Sequence, residues 1–240
     1  MTDIWKNYVD YKAKNTLSER YYAFISTCFE EGIKAVAGTE PFNHALDIAC
    51  GAGDNTAILT HYSRSVTGID LSGEQIQKAK SNPTLKGIRF LHCDFFDYTP
   101  ETQYDLITAA WFHNFIHDAE RQRQTSEKIA SELLEDGAIV FLFPSDSFTN
   151  AKNREYAARL TWRQAWYHSE ARYARGVFSF QNSSWDVMTC WQPLFLFEQY
   201  HPFFELHFLD TKKICVERGF LDSAYLNPTF EVMYGRKRRM

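Results

Sequence analysis

Little in this 240-residue chain speaks for disulfides, membranes or polyanionic partners. Its five cysteines, Cys28, Cys50, Cys93, Cys190 and Cys215, are odd in number, scattered, and form no Cys-x-x-Cys pair. They read as reduced, mostly buried thiols of a cytoplasmic protein. No apolar run approaches the ~20 residues of a membrane span, so no membrane partner is expected. The start, Met1-Thr2-Asp3-Ile4-Trp5-Lys6, lacks the basic and then apolar stretches of a secretory signal. Internal repeats and low-complexity segments are absent too. A formal net charge of −4 gives no general attraction to nucleic acid, and none is expected as a partner. The sequence carries no signal for an oligomeric state. What remains is length enough for one α/β domain with a substantial core.

The stretch that organises the chain is Ala45-Leu46-Asp47-Ile48-Ala49-Cys50-Gly51-Ala52-Gly53-Asp54-Asn55. A short apolar run, small residues, and then the helical pattern of Ala57, Ile58 and Leu59 predict buried strand, tight turn and helix start. Gly51 and Gly53 leave the backbone bare, so a ligand can lie on the turn, and the free N–H groups of a helix start favour an anionic group. A carboxylate at the end of a buried strand must meet a donor, which makes Asp47 informative. A ligand carrying both an ammonium and a carboxylate would suit the pair. A dinucleotide site wants Gly-x-Gly-x-x-Gly, and counting from Gly51 puts Thr56 at the third glycine.

This stretch resembles motif I of the class I S-adenosylmethionine-dependent methyltransferases, with Asp47, Gly51 and Gly53 matching and Ala49 in place of the first glycine. The resemblance implies a Rossmann-like α/β fold, a mostly parallel seven-stranded sheet with helices on both faces, and S-adenosylmethionine as cofactor. Asp70 ends a second strand within the stretch Val66 to Ser72 and lies 17 residues beyond Gly53, where doubly wound folds place a carboxylate for ribose hydroxyls. Leu71 follows it among the cofactor contacts, and Ser72 with Gln75 forms a capping box for the next helix. Asp94 and Phe95 end a third strand. In the resembling family such an acid accepts from the adenine amino group while the next backbone N–H meets the ring. Asp47, Asp70 and Asp94 thus fall 23 and 24 residues apart, addressing amino acid, ribose and adenine in turn.

A fourth strand, Tyr104 to Trp111, resembles motif IV of the small-molecule members; Ala110 and Trp111 would pass the methionine part of the cofactor. Trp111 and His113 would face the acceptor, with His113 the leading catalytic candidate and His117 behind it. Their spacing of four puts both on one side of a helix, but with no third ligand nearby no metal is expected. A helix from about Glu120, closed by Gly137, leads into a fifth strand, Ala138 to Phe143.

Four segments of a single methyltransferase domain follow from this reading. Residues 1–40 form a helical lid whose Tyr8 or Tyr11 would reach the sulfonium, and residues 45–143 form the cofactor-binding core. Residues 145–208 are an inserted acceptor-binding cap rich in aromatics (Trp162, Trp166, Tyr167, Trp185, Trp191, Tyr200) and interleaved arginines. Residues 209–240 supply the last helix and strand, and Arg236 to Arg239 read as a solvated tail. The expected function is N- or O-methylation of a small aromatic or heteroaromatic molecule. RNA modification and a non-catalytic nucleotide-binding module are the alternatives.

Overall fold

The apolar run Ala138–Phe143 is where the two halves of the core meet. Ala138, Val140 and Leu142 point into one hydrophobic cluster, and Ile139, Phe141 and Phe143 into another. All six are at most 1% exposed, as the period-2 alternation of a strand covered on both faces requires.

The computed structural model describes residues 16–144, 162–168, 173–180, 183–220 and 230–239. In chain order the elements are α1 (Thr16–Val36), β1 (Phe42–Ile48), α2 (Asp54–Leu59), β2 (Ser63–Asp70), α3 (Gly73–Ser81), β3 (Arg89–His92) and β4 (Tyr104–Ala110). Then come α4 (Ala119–Glu132), β5 (Leu133–Pro144), β6 (Trp162–His168), β7 (Tyr173–Phe180), β8 (Ser183–Trp191), α5 (Pro193–Tyr200), β9 (Phe204–Phe208), α6 (Thr211–Glu217) and β10 (Phe230–Lys237). Seven strands form one sheet in the order β3-β2-β1-β4-β5-β10-β9, with β10 antiparallel to both its neighbours and the remaining pairs parallel. α1 and α6 cover one face through Phe24, Phe29, Ile33 and Ile214, while α4 and α5 cover the other through Ile129, Leu196 and Tyr200. This is the expected α/β sandwich.

Several local expectations hold at atomic detail. The Ser72 side chain accepts from the Gln75 N–H at 3.3 Å and caps α3, and Gly219 leaves α6 at φ +74°. Others are corrected. α4 ends at Glu132 and β5 begins at once with Leu133, which is fully buried in the second cluster; the backward turn at φ +63° belongs to Asp136 rather than to a helix-closing glycine. Burial of Leu133 pulls the chain into the sheet before the polar residues are reached.

The cap boundary moves as well. Phe204–Phe208 is an edge strand of the main sheet, and α5 packs on the main body, so the inserted element among the described residues is the antiparallel sheet β6-β7-β8. Arg236, Arg238 and Arg239 are exposed, as expected of a solvated tail, but the segment is also held to the body. Arg236 Nη1 donates to the Asp136 carbonyl at 2.7 Å, Lys237 Nζ to the Leu133 carbonyl at 3.0 Å, and Arg238 Nε to the Phe204 carbonyl at 3.1 Å. Arg239 pairs with Asp136 at 2.6 Å. These cations add side-chain donors to carbonyls at strand ends, and the Leu133 carbonyl also accepts from Gln103 Nε2 at 3.2 Å. No helix among the described residues is long and apolar enough to cross a membrane.

Candidate functional site

The turn after β1 climbs out of the sheet through three left-handed residues: Ala49 (φ +56°), Gly51 (φ +56°) and Gly53 (φ +91°). Ala49 carries a Cβ through a conformation that disfavours one by about 1–2 kcal/mol, a strain that only the surrounding structure can hold. The two glycines do different things. A side chain at Gly53 would strike Leu85 Cδ1 at 2.5 Å, whereas one at Gly51 would meet nothing within 4 Å. Gly53 packs the turn against Phe90 and Leu85; Gly51 faces open space that a ligand can fill.

Asp47 lies beneath this turn, 1% exposed. Its Oδ2 accepts from the Thr56 hydroxyl at 2.6 Å and its Oδ1 from Thr108 at 3.0 Å. The carboxylate therefore staples β1 to α2 and β4, and Thr56 fills the position a dinucleotide site would give to glycine. Burial raises its pKa to about 6, against the pull of the two hydroxyls and with a small push from Asp70. This refines the sequence reading: both oxygens already hold a hydroxyl donor, so any ligand ammonium supplements that pairing rather than completing an empty one.

Asp70 sits at the end of β2, half-buried, one strand over. Its Oδ2 accepts from the Gly51 N–H at 2.8 Å and its Oδ1 from the Ser72 N–H at 2.7 Å. It braces the open turn. Beside it Leu71 is 70% exposed, an apolar side chain laid on the surface next to a carboxylate. Asp94, beyond β3, turns its Oδ1 onto the Phe96 N–H at 2.9 Å. The Phe95 ring is buried in the second cluster, which leaves only its backbone for a ligand. The register sets Asp70 against His92 and Ile48 against Ile69, so all three acids stand at neighbouring carboxyl ends.

Residues 45–137 match the family model described as a methyltransferase domain. Nodulation protein S of Azorhizobium caulinodans is 29% identical over 129 residues, covering 54% of this chain and 58% of that protein. Malonyl-[acyl-carrier protein] O-methyltransferase of Priestia megaterium is 30% identical over 145 residues, covering 58% of this chain and 45% of that protein. The chain thus spans about half the length of the curated relatives it matches. In fold it is similar to the DhpI–SAH complex structure, with a TM-score of 0.66 at 18% identity over 99% of this chain and 94% of that one. Residues 45–137 are thus similar to a methyltransferase domain, and the fold is the one such structures share.

The sequence reading gives the turn after β4 to the acceptor, and here the structure departs most from that reading. Ala110 is buried, and Trp111 takes φ +63°, its N–H donating to the Leu142 carbonyl at 2.8 Å. That backward step sends neighbouring side chains to opposite faces. Trp111 packs edge-on to Phe230, 6.4 Å away, on the α1 side, while the His113 ring lies 5.0 Å from Phe141 and 5.5 Å from Tyr200 on the α5 side. The two do not share one surface. Nor do His113 and His117 share a helix, because the 3-10 turn ends at Phe115 and the chain runs extended to Asp118. Among the described residues no cluster of three His, Cys, Asp or Glu side chains could hold a metal.

His113 is 0% exposed, and burial lowers its pKa to about 4, against the opposing bond to Gln122. It is a neutral imidazole at any ordinary pH. Its Nδ1 lies 3.0 Å from Gln122 Oε1, while among the described residues Nε2 has no hydrogen-bond partner, nor have the Tyr200 hydroxyl and the Asn114 amide. Each such orphan costs about 1–3 kcal/mol. Ile116 O accepts from Trp191 Nε1 at 2.9 Å, so the last residue of the inserted sheet clamps this turn.

Tyr11 and Tyr8, with Arg154, Arg159 and Arg172, lie outside the described residues. Sequence reasoning missed Thr56, Thr108, Asn114 and Gln122. For Thr56 a signal existed, since it stands where a third glycine was sought. Gln122 had none, being one polar residue among many in a helix that reads as surface.

Proposed function

We propose that this chain transfers a methyl group from S-adenosylmethionine to a nitrogen or oxygen of a small, flat molecule. The observation that supports it best is the three carboxylates at neighbouring strand ends beside a turn with open space above Gly51. Asp70 would take the ribose hydroxyls with Leu71 beside them, Asp94 and the Phe95 backbone the adenine, and the Gly51–Gly53 turn with Asp47 the amino acid. The residues fit the cofactor: they offer a diol acceptor, an adenine acceptor and bare backbone where a ligand must come close.

When bound, the cofactor supplies an already activated methyl group on a sulfonium. The chain's share is then to bind, orient and keep water out, and positioning alone can account for a large part of such acceleration. These residues would hold the acceptor's lone pair in line with that methyl group, and the acceptor's proton would pass to solvent. Residues 145–191, with Trp191 clamped on the turn after β4, would form the cap over the acceptor, and residues 1–40 the lid.

RNA is disfavoured as substrate. Net charge is −4, and the terminal cations Arg236 to Arg239 are engaged with carbonyls and Asp136. The test is a panel of phenols, heteroaromatic N–H compounds, amines, carboxylates and RNA, read by transfer of labelled methyl. Turnover on the small neutral acceptors supports the reading. Turnover on RNA alone, or cofactor binding with no turnover anywhere, contradicts it.

A further inference from the structure

The hydrogen bonds of Gln122 fix more than its own position. Its side chain is fully buried on α4, and its Nε2 donates to the His113 carbonyl at 2.9 Å and reaches the Ile116 carbonyl at 3.4 Å. Both are carbonyls and only accept, so the amide nitrogen must face them. The amide oxygen must then face His113 Nδ1, 3.0 Å away. That oxygen only accepts in turn, so Nδ1 carries the ring hydrogen and Nε2 is a bare lone pair. The tautomer follows from the network without any assumption about function.

A histidine kept only for packing has little reason to be built this way. The bare Nε2 is buried and unpartnered, as are the Tyr200 hydroxyl and the Asn114 amide. The Tyr200 ring stands 5.5 Å from the imidazole at 81°, and Phe141 and Phe143 stand at 5.0 and 6.3 Å. The groups shown against the ring are Gln122 from α4, Phe141 and Phe143 from β5, Tyr200 from α5 and Phe112 from its own turn. Of these only Tyr200 titrates, and none carries a charge near neutral pH. Among the described residues a cationic acceptor group would meet no counter-charge there, which is unfavourable in a buried site. An uncharged group with a hydrogen to give would pair with what is there. The position suits the reaction, since His113 follows β4 by three residues and β4 lies beside β1, which leads into the Gly51 turn.

We propose that Gln122 is a positioning residue: it locks His113 as the Nδ1–H tautomer, so that Nε2 accepts a hydrogen bond from a neutral hydroxyl or ring N–H on the methyl acceptor. The assignment rests on the methyltransferase reading and narrows its acceptor to uncharged O–H and N–H groups.

The experiment is nitrogen NMR on the full chain labelled with 15N-histidine, with His113 identified by its loss in His113→Phe. Wild-type protein should give a pyrrole-type signal at Nδ1 and a pyridine-type signal at Nε2, unchanged between pH 8 and pH 5.5. Phenol, as a neutral O–H probe, should move the Nε2 signal, while anisole, which has the same ring and no O–H, should leave it in place. Gln122→Leu should admit the Nε2–H form. Gln122→Glu should keep the tautomer but bring His113 into titration between pH 5.5 and pH 8. S-adenosylhomocysteine affinity within about threefold of wild type would show both variants folded. A pyrrole-type Nε2 in wild type, or equal responses to phenol and anisole, would overturn the proposal. The tautomer spectrum needs no cofactor, so failure of wild-type protein to bind S-adenosylhomocysteine would strike the methyltransferase reading separately.

Discussion

The turns after β1 and β4 are built from the same device and put to opposite ends. Each passes a side-chain-bearing residue through the left-handed region, Ala49 at φ +56° and Trp111 at φ +63°, and each has a titratable side chain, Asp47 or His113, buried against it. After β1 the result is bare backbone, open above Gly51, with the buried acid tied down by two hydroxyls. After β4 the result is a wall of side chains in which the buried imidazole keeps one nitrogen unpaired. A ligand that every member of a family shares can be met by backbone. A ligand particular to one member calls for side chains drawn from elsewhere in the chain.

The sharpest way to test that contrast is pH, because burial acts on the two groups with opposite sign. Asp47 is raised to about 6, so the folded state binds its proton more tightly than the unfolded chain. Its contribution to stability is greatest below about pH 4 and falls as pH rises to about 6. His113 is lowered from 6.5 to about 4, so here the unfolded chain holds the proton more tightly and stability rises across that window. Each slope is worth up to about 3 kcal/mol, and they oppose one another. Denaturant unfolding from pH 4 to pH 7 should therefore steepen upward in Asp47→Asn and downward in His113→Phe, relative to wild type. Equal slopes in all three proteins would dissolve the pairing.

Next in size is Gly53→Ala. The new Cβ meets Leu85 Cδ1 at 2.5 Å and has to adopt φ +91°, which should cost about 2 kcal/mol of stability. Cofactor affinity should fall with it. A stability loss that leaves affinity intact would mean the turn does not carry the ligand. The smallest effect expected is a gain: Ala49→Gly relieves the left-handed alanine and should stabilise by about 0.5–1 kcal/mol after the added chain entropy is offset. Thermal unfolding reads it directly, and a loss would show that the Ala49 methyl packs usefully.

The same contrast explains what was legible in the sequence. Asp47, Gly51, Gly53, Asp70 and Asp94 sit in strand-turn-helix units whose grammar is local, and the sheet order follows from repeating that unit. Gln122 and Tyr200 meet His113 only after the chain has folded, and Trp191 reaches Ile116 across 75 residues. No periodicity announces such contacts. The helix that carries Gln122 buries Thr125 and Ser126 as well, so its inner face reads as polar as its outer one. Phe204–Phe208 escaped for a related reason: an edge strand with only Phe204 and Leu206 buried looks like more of the aromatic cap that precedes it.

The central claim is that the three strand-end acids and the open turn hold S-adenosylmethionine, and calorimetry tests it most directly. Titrating S-adenosylhomocysteine into wild-type protein should give one-site binding, and Asp70→Ala, which loses both the diol partner and the brace on Gly51, should weaken it by about 1–3 kcal/mol. Binding of NAD in its place, or an affinity untouched by Asp70→Ala, would contradict the account.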